Sequence, residues 1–274
     1  MDSLTPQYRL DGVRKVFGRQ QVALDGISLS VSKGDRVALI GPSGAGKTTL
    51  FRLLNCTLRP TSGKLSINGA DIESLHGPRL RQARRKIGSV YQQHNLVPRL
   101  RVIHNVLAGR LGGWPTVRSL LSLVKPADVK LAHEALSQVD IADKLFERTD
   151  ELSGGQQQRV AIARVLVQDP DVILADEPVS SVDPTLASII VQLLLTISRN
   201  TGKTLLVSLH SVDLALAYFP RVIGIKKGQA VFDLSPDNIS DDMLEDLYSG
   251  NLRDHAVAEA ARERVESIPH PSLS

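Results

Sequence analysis

The sequence predicts an α/β fold: a parallel sheet carrying a phosphate-binding loop, an N-terminal antiparallel β-subdomain, and an inserted α-helical subdomain. Three observations carry that expectation. An apolar run, Val37-Ala38-Leu39-Ile40, enters a glycine-rich turn and leaves it as the helix former Thr49-Leu50-Phe51-Arg52-Leu53-Leu54. Two more short apolar runs, Asp171 to Ala175 and Thr204 to Ser208, have helices around them, as strands covered on both faces do. Other stretches alternate apolar and polar residues, the period of a half-exposed strand.

Taken in order, Tyr8-Arg9-Leu10 and Val13-Arg14-Lys15-Val16-Phe17 read as two short strands leading into Ala23 to Val31. Lys33-Gly34-Asp35 turns the chain into the first buried strand. Gly63 to Gly69 alternates again and ends on Asn68-Gly69, a dipeptide that favours a hairpin. A basic run, Arg79 to Lys86, precedes the strand Ile87 to Tyr91, which closes on Gln92-Gln93. From about residue 95 to 150 the pattern turns helical, with a break at Gly112-Gly113-Trp114-Pro115, and this is the inserted subdomain. Val222-Ile223-Gly224-Ile225 and Ala230-Val231-Phe232-Asp233 flank a tight turn as a hairpin. Residues 7–250 are expected to form one domain, and 251–274 a charged, loose tail fading into disorder.

Composition narrows the function. At 274 residues with 42% apolar content the chain can bury a sizeable core, and 4% aromatic content makes that core aliphatic. A net charge of +4 is too modest for a nucleic-acid signature. The basic run could suit RNA, DNA or anionic headgroups, but without aromatic stacking partners it reads as a solvated helix face. No nucleic-acid partner is expected. The single cysteine, Cys56, excludes an internal disulfide and a cysteine metal cluster, and is expected on the helix after the glycine-rich turn as a small core residue. The N-terminus has neither a basic region nor an apolar core, so no secretory signal is expected. No segment reaches the ~18 uninterrupted apolar residues of a membrane helix, so a membrane role would come through a partner.

The chemistry begins at Gly41-Pro42-Ser43-Gly44-Ala45-Gly46-Lys47-Thr48, which fits G-x-x-x-x-G-K-[ST]. Glycines let backbone N–H groups close around phosphate oxygens, and the helix beginning near Gly46 adds unpaired N–H groups and the positive end of its dipole. Lys47 can reach the β- and γ-phosphates and the Thr48 hydroxyl can hold Mg²⁺. An ordinary glycine turn would not need this Lys, this Thr and both flanks together. Downstream, Ile173-Leu174-Ala175-Asp176-Glu177-Pro178 puts two acids at the end of a buried strand. Asp176 is placed to hold Mg²⁺, and Glu177 to take a proton from a water attacking the γ-phosphate.

Leu152-Ser153-Gly154-Gly155-Gln156 runs straight into a strong helix former, which makes a second anion site at a helix N-terminus. Two incomplete anion sites in one chain suggest one nucleotide shared between two copies facing head to tail. With the phosphate loop upstream and Asp-Glu downstream, this stretch resembles the signature of the ATP-binding-cassette ATPases. The resemblance covers about Tyr8 to Tyr248 and implies several roles. The contacts to ATP run from Gly41 to Thr49, with Phe17 stacking on adenine. Gln92 resembles the glutamine that contacts Mg²⁺ and relays nucleotide state to a transport partner. Ser153, Gly154, Gly155 and Gln156 meet the ATP held by the other copy. Asp183, in Ser180-Ser181-Val182-Asp183, crosses the dimer interface. His210 resembles the switch histidine at the γ-phosphate, working with Glu177 and Lys47.

Further stretches, Asn95 to Leu100, Asn105 to Gly112 and Leu209 to Ala215, look like the ATPase subunit of phosphonate importers. Val182 stands where Leu is usual, Ser211 where Gln is usual, and Leu234 where Gly is common. That resemblance implies a homodimer at the cytoplasmic face of the inner membrane. Its partners would be integral permease subunits and a periplasmic solute-binding protein, and its solute a phosphonate or a relative such as phosphite. Rival readings are another transporter's ATPase subunit, a soluble clamp-type cassette and a phosphate-loop kinase. The kinase leaves Ser153 to Gln156 and His210 unexplained.

Overall fold

The computed structural model describes residues 5–249, apart from 19, 94, 115–121, 123–125, 127 and 181. The expected tail, Pro115 and Ser181 therefore lie outside the described residues. Four strands, β1 (Tyr8–Phe17), β2 (Gln21–Val31), β4 (Ser62–Ile67) and β5 (Ala70–Asp71), form an antiparallel sheet in the order β2-β1-β4-β5. Six others form the second sheet: β3 (Arg36–Ile40), β6 (Ile87–Tyr91), β7 (Val172–Asp176), β8 (Thr204–Ser208), β9 (Arg221–Lys226) and β10 (Gln229–Leu234). Their order is β10-β9-β3-β8-β7-β6, parallel throughout except for the β9–β10 hairpin.

The helices are α1 (Lys47–Leu54), α2 (Gly77–Arg85), α3 (Val102–Leu107), α4 (Val129–Ser137), α5 (Gly154–Gln168), α6 (Pro184–Thr201), α7 (Val212–Tyr218) and α8 (Asp241–Tyr248). Side chains alternate across each parallel strand, and this splits the core in two. Val37, Leu39, Val172 and Leu174 face a cluster built with α1 and the antiparallel sheet. Ala38, Ile40, Ile173 and Ala175 face the other, built with α3, α4, α5 and α6. Burial of each Leu or Ile here contributes about 1.5–3 kcal/mol. That is why strands only five residues long read as unbroken apolar runs.

Two expectations change. Tyr8 to Leu10 and Val13 to Phe17 are one strand, joined through a register shift at Gly12, whose φ of 57° no ordinary strand residue adopts. The bulge interrupts the alternation and made one strand look like two. Cys56 is not on α1: the helix ends at Leu54, and Cys56 follows its C-cap at φ 61°, still buried. Burial pushes its thiol up to about 11, with Arg84 and Arg59 pulling weakly the other way. Two local expectations hold. Asn68 and Gly69 both have positive φ, as a tight hairpin turn requires. The basic run forms α2, which buries no residue.

Candidate nucleotide site

Four parallel strands deliver their carboxyl ends to one place. β3 runs into the glycine-rich loop, β6 ends at Tyr91 beside Gln92, β7 ends on Asp176, and β8 ends on Ser208 two residues before His210. Register makes the alignment tight, because Asp176 pairs with both Tyr91 and Ser208. The backbone of Leu209 continues the ladder by donating to Leu39 at 2.9 Å. Ligands of open parallel sheets bind at this edge.

Within the loop, Gly41 and Gly46 have φ of 146° and 111°. A Cβ on Gly41 would run into the Ile225 carbonyl, and one on Gly46 would sit 2.5 Å from the Ala23 carbonyl. Both positions therefore exclude side chains, which keeps the loop backbone against β2 and β9. Lys47 begins α1 and is 4% exposed. Its ammonium donates to the carbonyls of Gly41 (2.5 Å) and Pro42 (3.1 Å) and is thereby held within the loop.

The acids are wired together through a residue that the sequence reading passed over. Ser208 Oγ donates to Asp176 Oδ1 at 2.7 Å and accepts from the Glu177 backbone N–H at 2.9 Å. It is fully buried. The available signal was a hydroxyl closing an otherwise apolar strand. Thr48 lies beside Asp176 in the wall of the same cavity. Burial nevertheless raises its carboxyl above the ordinary carboxylate range, against the pull of Ser208 and Thr48. Glu177 moves the other way. His210 Nε2 lies 2.7 Å from Glu177 Oε1, and this hydrogen bond lowers the carboxyl below its usual range, with a smaller contribution from Lys47. Glu177 is 18% exposed and His210 43%, so the pair opens toward solvent. Thr48, Gln92, Asp176 and Glu177 line one cavity of about 610 Å³.

The other predicted residues sit apart from this cluster. Ser153 to Gln156 line neither that cavity nor the neighbouring one that holds His210 and Val182. Ser153 caps α5 in a reciprocal box: its Oγ accepts from Gln156 N at 3.3 Å, and Gln156 Oε1 accepts from Ser153 N at 2.9 Å. Gly155 abuts Leu186 of α6, where a Cβ would lie 2.5 Å from Leu186 Cδ2. Asp183 caps α6, accepting from Leu186 N at 3.0 Å. Phe17 ends β1 at the turn into β2, with the Lys15 ammonium 5.3 Å above its ring.

A glycine loop after the central parallel strand β3, with an acid at the end of β7, the next strand but one in the sheet, defines a phosphate-loop nucleoside triphosphatase. Comparison with known proteins sharpens that class. The family model described as "ABC transporter" matches residues 24–180. The chain is 49% identical over 261 residues to a phosphonates import ATP-binding protein of Pseudomonas aeruginosa, covering 95% of this chain and 98% of that protein. A protein of the same description from Rhodopseudomonas palustris is 44% identical, with 97% of each chain covered. Among solved structures, an ATP-binding cassette dimer in a post-hydrolysis state bound to ADP and Pi matches with TM-score 0.69. It is 30% identical and covers 85% of this chain and 100% of that one. The cbiO1 subunit from Clostridium perfringens, part of the ABC transporter complex cbiONQ, matches with TM-score 0.76. It is 26% identical and covers 94% of this chain and 99% of that one. The chain belongs to the ATP-binding family of ABC transporters, and it is an ATPase coupled to transport.

Proposed function

We propose that this chain energises import of phosphonates, or of a smaller relative such as phosphite. It works as a homodimer at the cytoplasmic face of the inner membrane, with permease subunits and a periplasmic solute-binding protein. The observation that carries the solute is the 44–49% identity, over nearly the whole chain, to proteins named for phosphonate import. No described helix is long and apolar enough to cross a membrane.

In this reading the loop from Gly41 to Thr49 and the Lys47 ammonium hold the ATP phosphates, and Phe17 stacks on adenine. Thr48, Gln92 and Asp176 offer only oxygen ligands with a single carboxylate, a set that suits Mg²⁺ completed by phosphate oxygens and water. When bound, that ion supplies charge neutralisation on the β- and γ-phosphates. The Glu177 carboxyl is ionised at neutral pH, as carboxylates ordinarily are, and the His210 hydrogen bond holds it below its usual range. It takes a proton from water as the water oxygen bonds to the γ-phosphorus and the bond to the bridging oxygen of the departing ADP breaks. His210 orients Glu177 and faces the γ-phosphate. Ser153, Gly154, Gly155 and Gln156 of the second copy complete the site, and Asp183 lies at the interface between copies. Residues 7–250 act as one unit, with the stretch from about 95 to 150 as its helical subdomain. The tail, 251–274, is left without a role.

Growth on a single phosphorus source tests the solute. A strain depending on this chain should lose growth on methylphosphonate, but not on phosphate, when Lys47→Ala replaces the parent. Unimpaired growth of the Lys47→Ala strain on methylphosphonate and on phosphite would sink the assignment.

A further inference from the structure

Helix α5 carries the signature residues at its N-terminus and is fastened to the strand core at its other end. There, Gln168 Nε2 donates to the carbonyls of Arg85 (3.0 Å) and Ile87 (2.9 Å), the junction of α2 and β6. One turn earlier, Arg164 Nη1 donates to the carbonyl of Asn95 at 2.6 Å. Asn95 stands three residues after Gln92 and has a left-handed φ of 49°. It lines the cavity shared by Thr48, Asp176 and Glu177, and also the separate pocket that contains Arg164. Arg164 lines one pocket with Tyr91 at the end of β6, and burial lowers its guanidinium below the ordinary value. The Tyr91 hydroxyl accepts from Asn55, the C-cap of α1, at 3.2 Å. At the same level the helix packs tightly on the subdomain, because a Cβ on Gly109 would run into the Arg164 carbonyl. Arg164 is therefore where the phosphate-loop helix, the Gln92 segment and the signature helix meet.

We propose that Arg164 is a positioning residue that links the Gln92–Asn95 segment to the signature helix and so sets where Ser153 is presented. The proposal rests on the reading of Ser153 as a contact to ATP in the facing copy. Helix geometry makes the link a lever. From the Gln168 anchor, Arg164 is four residues or about 6 Å along α5, whereas Ser153 is fifteen residues or about 22 Å away. A small shift of Asn95 would thus move Ser153 roughly fourfold further, if α5 turns as a rigid rod about its anchored end. Side-chain donation to a backbone carbonyl suits the purpose, since the segment is gripped irrespective of its side chains.

The test uses the full chain in a Glu177→Gln background, with and without Arg164→Gln or Arg164→Lys. A fluorescent ATP analogue reads binding to the single copy, and light scattering after gel filtration reads ATP-driven dimerisation. Arg164→Gln should bind ATP within about twofold of its parent yet need at least about tenfold more ATP to dimerise. In the Glu177 protein it should lower kcat about tenfold with little change in KM. Arg164→Lys, which keeps a charged donor for the Asn95 carbonyl, should restore at least half of each loss. Dimerisation and kcat unchanged in Arg164→Gln would overturn the proposal. So would a joint loss of thermal stability and ATP binding that Lys does not rescue, since that marks a purely structural role. If Glu177→Gln alone never dimerises with ATP, the head-to-tail reading falls first and takes this proposal with it.

Discussion

At the carboxyl ends of the parallel strands, Asp176 and Glu177 are held by a buried serine, a histidine and the register of β6, β7 and β8. At the start of α5, Ser153 is held by its own helix, through a capping box that uses only Gln156. The first arrangement is over-determined and fixes groups within hydrogen-bonding distance of each other. The second is local and exposed, and it leaves N–H groups at a helix end directed outward. Chemistry that must be aligned to fractions of an ångström sits on the sheet edge. Recognition that must come and go sits on a helix tip.

That contrast can be broken from the strong side first. Glu177→Gln removes the proton acceptor while keeping the shape of the site, and should lower phosphate release at least about 100-fold with ATP binding retained. Hydrolysis at the parent rate would end the assignment of the base. Gly46→Ala should come next. Its Cβ would meet the Ala23 carbonyl at 2.5 Å in a left-handed backbone, at a cost of about 1–3 kcal/mol, and ATP affinity measured by calorimetry should fall at least about tenfold. His210→Ala should move the acid limb of the ATPase pH profile upward, because the hydrogen bond that keeps Glu177 ionised to low pH is lost. An unmoved limb would detach His210 from Glu177.

Asp176→Asn should separate stability from activity. The folded state raises the Asp176 carboxyl, so its ionised form opposes folding at neutral pH, and this penalty fades as pH falls below the ordinary carboxylate value. The variant should melt above its parent at pH 7, with the difference shrinking in acid, while Mg²⁺-dependent hydrolysis is lost. Ser153→Ala is the smallest change. Losing the cap costs about 1 kcal/mol. Melting temperature should fall slightly and ATP binding to a single copy should stay put. Altered single-copy affinity would blur the division between the two sites.

Much of the sheet edge was legible because buried parallel strands leave a strong pattern. Val37 to Ile40, Val172 to Ala175 and Leu205 to Val207 are apolar on both faces, and the functional residues sit where those runs stop. Ser208 leaves no such mark: its hydroxyl points sideways to the neighbouring strand, and pairing between β7 and β8 is a long-range fact that no local window contains. The break between Leu10 and Val13 misled because a bulge at Gly12 interrupts alternation without ending a strand. Cys56 looks helical in the sequence because the apolar pattern continues past Leu54, whereas Asn55 ends the helix by backbone geometry. The Arg164 contact to Asn95 spans 69 residues and engages a carbonyl, which leaves no trace in residue type.

Glu177 adopts φ 51°, a left-handed conformation that for a residue other than glycine costs roughly 1–2 kcal/mol. Gly and Asn fill that conformation more readily. A library of this chain selected only for heat resistance should therefore drift toward Gly or Asn at position 177, and its best survivors would be inactive. Engineering a sturdier form of this protein has to hold that position constant and look for its gains elsewhere.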